Sequence, residues 1–456
     1  MQKKLKNILK KYLPRQFFDF RHYFVAAKAA FKYHYPSREM YVIGVTGTSG
    51  KSTTVDFIRQ ILTSAGFRVG SLSTVDFHVG EAVEINDRKM TMVGGDFIQR
   101  KLRAMADGGI EIAIVETSSE GILQYRHSFI QYDLVLLTNL YPEHIEAHGG
   151  FANYKSAKLK LFAHTASLPR KSTQTGVLKK FAKAFGERID KVAIVRAGEH
   201  AVDFLRYDFD FKKIFGERGE EGMDKKQAEL VEFSDIILGE KGINFKIAET
   251  NCQTKIWGEH NVNNIVAAAA VAMVLRIPFE KIVADIGQLH GVPGRMENIG
   301  EAEAHGFRVL VDYAFEPIAV AALYRAVTVI PHRRIIHVCG SAGGGRDVAR
   351  REPLGRLIGD NADIVIVTNE DPYDDDPAEI IDQVAQGVIN SGKKLDQDLF
   401  KINDRREAIS RAVKMADVGD LVLITGKGSE QGMCVANGKI ISWDDRVVAR
   451  EVIAQL

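Results

Sequence analysis

The stretch Tyr41-Val-Ile-Gly-Val-Thr-Gly-Thr-Ser-Gly-Lys-Ser-Thr-Thr54 decides how this chain is read. An apolar strand over 41–45 runs into a Gly-rich turn, and a helical pattern follows with Val55, Ile58, Ile61 and Leu62 on one face. Such a turn aims backbone N–H groups and a helix N-terminus at phosphate oxygens, while Lys51 reaches the outer phosphates and Ser52 can hold Mg²⁺. Val45 stands where the full P-loop pattern has its first Gly. The core Gly47-x-x-Gly50-Lys51-Ser52 is intact and sits between a strand and a helix, as the chemistry requires. Gly47, Thr48, Ser49, Gly50, Lys51, Ser52 and Thr53 are therefore expected to bind a nucleoside triphosphate.

Working outward, residues 1–40 differ from the rest. They carry ten Lys/Arg against two acids, interleaved with Leu5, Ile8, Leu9, Leu13, Phe17, Phe18, Phe20, Tyr23, Phe24 and Phe31, and Pro14 divides them into two helical pieces. Basic amphipathic helices with aromatic residues can lie on anionic membrane surfaces, so peripheral membrane contact is one reading. The expected one is a helix whose apolar face packs on the nucleotide-binding domain with its lysines solvated. After the loop, alternating strand and helix patterns to about 295 argue a mostly parallel sheet with helices on both faces. Buried strands are expected at 110–115 and 134–138, and residues 165–235 read as surface helices and loops. From 307 a second α/β pattern begins, with strands at 307–312, 335–339, 364–368 and 421–425, and it reads as a doubly wound, Rossmann-like domain. The expected division is a basic helical extension over 1–40, a central ATP-binding domain over 41–297 and a C-terminal domain over 298–456. Gly291-Val-Pro-Gly-Arg-Met-Glu297 reads as the hinge, and Asp374-Asp-Asp376 as the cap of a helix opened by Pro377.

The totals bound the partners. A net charge of +2 over 456 residues implies no nucleic-acid partner. Cys252, Cys339 and Cys434 lack CxxC spacing and read as free thiols of a reducing compartment. With no run of eighteen apolar residues and no signal peptide, a cytoplasmic protein is expected, and a monomer.

Functional groups in such sheets gather at the carboxyl ends of strands. Strand 110–115 ends in Glu116-Thr-Ser-Ser-Glu-Gly121, and Glu116 lies where a carboxylate completes a Mg²⁺ site opposite Ser52. Strand 134–138 ends in a loop holding Glu143, His144, Glu146 and His148. Lys158, beside Lys155 and Lys160 on the next helix, reads by itself as a solvated surface lysine.

Taken in order, these motifs resemble the Mur ligase family, the ATP-dependent amide-bond ligases of peptidoglycan assembly, and most of all its tripeptide-synthetase type. The signature is Gly-Thr-Ser-Gly-Lys-Ser at 47–52, Glu116-Thr-Ser-Ser119, Thr138-Asn-Leu140 with Glu143-His144, and His148-Gly149 with Asn153-Tyr-Lys-Ser-Ala-Lys158. It continues through Asn261-Val-Asn-Asn264, the 291–297 segment, Val311-Asp-Tyr-Ala314, Gly344-Gly-Arg-Asp347 and Gly426-Lys-Gly428. The resemblance implies that Lys51 and the loop cradle ATP, that Ser52 and Glu116 hold one Mg²⁺, and that His144 ligates a second. It implies that Lys158 is carbamylated by CO₂, turning an ammonium into an anionic oxygen ligand. Asn261 and Asn264 would lie near adenine, Arg295 at phosphate and Asp312 at ribose. Arg351, Asp371 and Glu430 would hold the incoming amino acid, with Thr117, Ser118, Ser119, Arg126 and Tyr373 as further substrate contacts. The implied reaction runs through an acyl phosphate to an amide, with closure about the hinge assembling the site.

The sequence departs from the family in four places. Only the basic segment precedes the loop where tripeptide synthetases carry a uridine-binding domain, which leaves a non-UDP or lipid-linked acid as an alternative acceptor. The Asp-Asn-Pro-Arg of diaminopimelate-adding enzymes reads Glu370-Asp-Pro-Tyr373, so the Arg fork for a distal carboxylate is missing and diaminopimelate is disfavoured. Ser-Ser-His reads Ser118-Ser119-Glu120 and Asp-Tyr-Ala-His reads Asp312-Tyr-Ala-Phe315; Gly-Lys-Gly-His-Glu reads Gly426-Lys-Gly-Ser-Glu430. A folate-type polyglutamylating ligase and a non-catalytic nucleotide-dependent assembly factor are the competing readings.

Overall fold

All six residues of β1, Tyr41–Thr46, are buried: a parallel neighbour pairs with each edge, and packed elements cover the faces of such a sheet. A computed structural model gives the fold and describes residues 15–86, 90–142, 148–345 and 348–456. The larger sheet comprises β1, β2 (Val69–Leu72), β3 (Asp76–Val79), β4 (Ala82–Ile85), β5 (Ile112–Glu116) and β6 (Leu134–Leu137). It continues with β7 (Val192–Arg196), β8 (Phe211–Glu217), β9 (Glu229–Gly239), β10 (Gly242–Ile247) and β11 (Thr250–Thr254). Their order is β11-β10-β9-β8-β7-β6-β1-β5-β2-β3-β4. From β9 to β2 every pairing is parallel, and β3 and β4 add an antiparallel edge. Strands buried on both faces become continuous apolar runs, which is why β1, β5 and β6 stand out in the sequence.

Two expectations are corrected here. Residues 165–235 hold β7, β8 and most of β9 and extend the sheet. Lys212 and Lys213 interrupt the apolar run of β8, and Lys191 directly precedes the short run of β7; carboxylates compensate the buried lysines, Lys213 pairing with Glu229 at 2.6 Å and Lys191 with Asp133 at 3.0 Å. The helix Arg15–Lys32 does pack on its unit, but through alanines. Ala26, Ala29 and Ala30 are buried, whereas Tyr23, Phe24, Val25 and Phe31 are exposed. Ala26 lies against Gly95, where an added Cβ would stand at contact distance, 3.4 Å from Ala26 Cα. The piece expected before Pro14 lies outside the described residues. Among the described residues no helix is long and apolar enough to cross a membrane.

The chain divides into two compact units. The first holds the residues up to Ile236 with Asn244–Thr254 and Asn261–Leu289; the second holds Ile237–Ile243, Lys255–His260 and His290–Leu456. The second contains a six-stranded sheet of β12 (Glu297–Asn298), β13 (Arg308–Asp312), β14 (Ile335–Cys339), β15 (Ile364–Thr368), β16 (Leu399–Ile402) and β17 (Leu421–Thr425). Its order is β12-β13-β17-β14-β15-β16, parallel except for β12. Apolar clusters lie on both faces, as a doubly wound sheet requires. The helices Arg351–Asn361 and Pro377–Asn390 touch through glycines: a Cβ at Gly355 would meet Val384 O at 2.0 Å, and one at Gly387 would meet Glu352 O at 2.0 Å. Asp376 caps the second of these helices by accepting from Ala378 N, with Pro377 in the first turn.

At the opposite end of the first sheet from the loop, Asp133 is fully buried between two lysines. Its carboxylate accepts from Lys171 Nζ at 2.5 Å, Lys191 Nζ at 3.0 Å and Val42 N at 2.9 Å, tying β6 to β1. Burial lowers Lys171 to about 8 against the pull of Asp133. Replacing Asp133 by Ala strands two ammonium groups in the interior, so urea unfolding of Asp133→Ala is expected to show a loss of about 3–5 kcal/mol. A loss below about 1 kcal/mol, the scale of exposed pairs, would mean that the trio does not hold the sheet together.

Candidate active site

Strand register builds the site. Because Val45 pairs with Glu116 and Thr46 with Leu137, the carboxyl ends of β5, β1 and β6 stand in a row. β1 leads into the loop, and Gly50, left-handed at φ 73°, starts the helix Lys51–Ser64. Val55, Ile58, Ile61 and Leu62 are buried beneath it, as the periodicity predicts. The first backbone N–H groups of such a helix have no intrahelical partner and suit an anion. The bend before it requires glycine: a Cβ at Gly47 would lie 1.9 Å from Thr138 Oγ1. Lys51 Nζ folds back to Thr48 O at 2.9 Å and Gly47 O at 3.2 Å.

Ser52 Oγ donates to Glu116 Oε2 at 3.0 Å, so a hydroxyl and a carboxylate converge at the foot of the loop. These are the hard oxygen donors Mg²⁺ takes, and both are buried. Lys158 comes from the helix Phe151–Ser167, with 1% of its surface exposed, its Nζ 2.7 Å from Gly47 O and 4.4 Å from the centre of the Tyr154 ring. Read by itself as a surface residue, it is instead sealed behind the loop. Among the described residues no group of three or more His, Cys, Asp or Glu gathers as a metal site; His144, with Glu143 and Glu146, lies outside them.

Asn264 Nδ2 donates to Asn261 Oδ1 at 2.9 Å, and Asn264 Oδ1 accepts from Thr54 Oγ1 at 3.2 Å, so both asparagines lie close behind the loop. Thr117 is committed to the core, its hydroxyl reaching Val115 O at 3.1 Å and Tyr132 Oη at 3.3 Å. Ser118 caps the short helix Ser119–Leu123, and Ser119 Oγ lies 3.1 Å from His148 Nε2. Arg126 binds Met92 O and Gln124 Oε1, and burial holds its guanidinium below the ordinary value.

The remaining predicted residues belong to the second unit. Arg295 stacks over Tyr313 with its guanidinium carbon 4.1 Å from the ring centre. Asp312 accepts from Met296 N and Ala314 N, each at 2.7 Å, and so fixes the turn that presents Arg295. Asp371, Lys427 and Glu430 form a chain: Lys427 Nζ donates to Asp371 at 3.0 Å and to Glu430 at 2.5 Å, and Tyr313 Oη donates to Glu430 at 3.1 Å. Burial holds the Tyr313 phenol well above its usual range, so it stays a donor. Arg351 is buried against Gln383 and Ala342 O, at 2.7 and 2.9 Å. Tyr373 has φ 53° and donates its N–H to Cys434 O at 3.1 Å.

Sequence reasoning missed three supports. Thr74 donates to Glu116 through its N–H at 2.7 Å and its hydroxyl at 2.9 Å. Asn139 Oδ1 accepts from Thr48 N at 3.0 Å and Ser49 N at 2.9 Å. Tyr154 Oη donates to Thr48 Oγ1 at 3.2 Å. Asn139 and Tyr154 stood inside quoted motifs, whereas Thr74 follows a four-residue strand too short to attract notice.

A phosphate-binding loop backed by a Ser–Glu pair and a buried lysine, in a chain that also carries a doubly wound unit, defines a P-loop nucleotide-binding protein of two-domain build. Family comparison then sharpens the class. Residues 45–272 match the Mur ligase middle domain, and residues 294–428 match the Mur ligase, glutamate ligase domain. The UDP-N-acetylmuramyl-tripeptide synthetase of Roseiflexus sp. (strain RS-1) is 33% identical, covering 95% of this chain and 82% of that protein. The UDP-N-acetylmuramoyl-L-alanyl-D-glutamate--2,6-diaminopimelate ligase of Geobacillus kaustophilus (strain HTA426) is 30% identical over 93% of this chain and 81% of its own. In fold alone, Mycobacterium tuberculosis folylpolyglutamate synthase complexed with ADP aligns with a TM-score of 0.66 at 15% identity, over 93% of this chain and 95% of that one. The chain belongs to the Mur ligase family of ATP-dependent, ADP-forming acid–amino-acid ligases.

Glu370 precedes the Asp371 chain and gives it a pH signature. Buried and with Oε2 unbonded, its carboxyl is pushed up to about 7 by burial, against the pull of Lys427 and Arg405. The folded state therefore keeps a proton that the unfolded chain, with the ordinary value of 4.5, has released. Stability on this account falls as pH rises between those two values. Glu370→Gln is expected to match the parent in urea unfolding near the lower limit and to exceed it by roughly 1–3 kcal/mol at about pH 8. A difference that does not vary with pH would refute the shift.

Proposed function

We propose that this protein ligates an amino acid to the carboxylate of a peptidoglycan precursor peptide, using ATP and passing through an acyl phosphate. The observation that carries the reading is Lys158, a buried lysine whose Nζ meets the carbonyl of the phosphate-loop glycine at 2.7 Å. A solvated lysine has no reason to be there; one that accepts CO₂ keeps an N–H for Gly47 O while gaining anionic oxygens.

In this reading the loop N–H groups and Lys51 bind and orient the ATP phosphates. Ser52 and Glu116 would hold one Mg²⁺, and His144 with carbamylated Lys158 a second. When bound, the ions neutralise charge between the acid and the γ-phosphate. Thr74 holds the Glu116 carboxylate in place. Asn261 and Asn264 lie on the adenine side, Asp312 on the ribose side, and Arg295 offers its guanidinium to phosphate. The substrate carboxylate attacks the γ-phosphorus and ADP leaves. The incoming ammonium group gives up a proton to water, and the resulting amine attacks the acyl carbon, breaking its C–O bond to phosphate, which leaves. Ser118, Ser119 and Arg126 are assigned to the acceptor, whereas Thr117, fully buried with its hydroxyl bonded in the core, is left out of it. Arg351, Asp371, Tyr373 and Glu430 are assigned to the amino acid, with the acids receiving its ammonium group and Arg351 its carboxylate. Tyr373 offers no guanidinium fork, so a monocarboxylic amino acid fits better than diaminopimelate. The domains are taken as 41–297, which carries the phosphate loop, and 298–456, which carries the amino-acid residues, and the same reading takes the protein as a cytoplasmic monomer acting on small molecules.

Phosphate release with a panel of acceptors tests this directly. Turnover is expected with a UDP-muramoyl dipeptide and an amino acid. Turnover only with a folyl acid would discard the peptidoglycan assignment, and none with any acceptor would discard the ligase. In the same assay Lys158→Ala is expected to lose about 100-fold in activity, the scale seen when a metal site's supports are removed. Partial rescue by formate or acetate is expected; full activity without rescue would remove the carbamate from the scheme.

A further inference from the structure

We propose that the exposed face of the helix Arg15–Lys32 docks the protein on an anionic lipid bilayer. Arg21, Phe24, Val25, Lys28, Phe31 and Lys32 follow one another at helical spacing and form one face, opposite the buried Ala26, Ala29 and Ala30. The usual arrangement is reversed: small residues face the protein, and large apolar ones face outward with 53% of Phe24, 47% of Val25 and 73% of Phe31 exposed. A helix that needed only to stay soluble would keep its phenylalanines inward.

The helix is fixed to its unit, so the face is presented rigidly. The Tyr23 ring meets Tyr125 at 5.7 Å and Phe129 at 5.2 Å between centroids, and Ala26 lies against Gly95. The charges on the outward face are Arg21, Lys28 and Lys32, all basic. Lys32 also meets Asp96 at 3.4 Å, a pair more than half exposed on both sides and weak for that reason. In sequence the preceding fourteen residues add Lys3, Lys4, Lys6, Lys10 and Lys11 and no acid.

Phenylalanines set among Lys and Arg on one helical face match the boundary of an anionic bilayer, where rings enter the acyl region and cations meet headgroup phosphates. A second copy of the same face would bring like charges together. With no helix among the described residues able to span a bilayer, the attachment is one of lying on the surface.

Co-sedimentation of the full chain with vesicles tests this. The chain is expected to sediment with vesicles of phosphatidylglycerol and phosphatidylcholine but not with phosphatidylcholine alone, and binding is expected to weaken as salt is raised. The double variant Phe24→Ser, Phe31→Ser is expected to lose at least about tenfold in binding while its thermal unfolding stays that of the parent. Arg21→Glu with Lys28→Glu, both exposed, is expected to lose binding similarly and guards against misfolding of the first variant. Failure of the parent to sediment with anionic vesicles would overturn the proposal, as would undiminished binding by both variants. A parent that light scattering shows to be a dimer, made monomeric by the phenylalanine changes, would assign the face to self-association instead.

Discussion

The carbonyl oxygen of Gly47 is where the first unit is tied together. It follows directly on β1 and accepts from Lys51 Nζ within the loop and Lys158 Nζ from the helix Phe151–Ser167. The same residue has no room for a side chain against Thr138 at the end of β6. Three elements distant in sequence thus meet on one peptide group. The loop backbone is held before any ligand arrives, with Thr48 N and Ser49 N already donating to Asn139, so the N–H groups left to a phosphate are those at the start of the helix Lys51–Ser64. Asn139, Thr138 and Tyr154 brace the same few residues, so the loop is supported from β6 as well as from its own helix.

The two units use buried charge differently. In the first, Lys158 and the Asp133 trio are fully enclosed, and each ammonium group finds a carbonyl or carboxylate oxygen. In the second, Asp371, Lys427, Glu430 and Tyr313 form a linked chain in which a cation sits between two acids. Arg405 and Asp445, both buried, form a separate pair with two hydrogen bonds at 2.7 and 2.8 Å that serves the packing of helices on the sheet. A chain of alternating charge can accept an added ammonium or carboxylate by exchanging partners, whereas a closed pair cannot.

Much of this was legible in the sequence because parallel strands buried on both faces leave uninterrupted apolar runs. β14, β15 and β17 fall on 335–339, 364–368 and 421–425 as the runs do. Glu116 was legible because it ends such a run. β7 and β8 were not: β7 offers only a short apolar run after Lys191, Lys212 and Lys213 break the run of β8, and the compensation of Lys191 and Lys213 by Asp133 and Glu229 exists only in three dimensions. Lys158 carried no local sign of burial, and the family resemblance alone singled it out. Thr74 had no sign at all, because its role depends on β2 lying beside β5. The helix Arg15–Lys32 was legible as a helix, but the face turned inward carries Ala26, Ala29 and Ala30 and not the large apolar residues that hydrophobicity favours.

The polypeptide passes between the two units five times, at 236, 243, 254, 260 and 289. The tip of the β9–β10 hairpin belongs to the second unit, where Glu240 pairs with Arg308 at 2.7 Å and its carbonyl accepts from Trp257 Nε1 at 3.0 Å. Trp257 in turn packs on the apolar cluster of that unit's sheet. The border seen in space is therefore not a border along the chain. No single cut yields two self-sufficient pieces, because a fragment beginning at His290 lacks the tryptophan and hairpin that complete its own surface. Genetic exchange of one unit between related chains would have to carry these two short inserts with it.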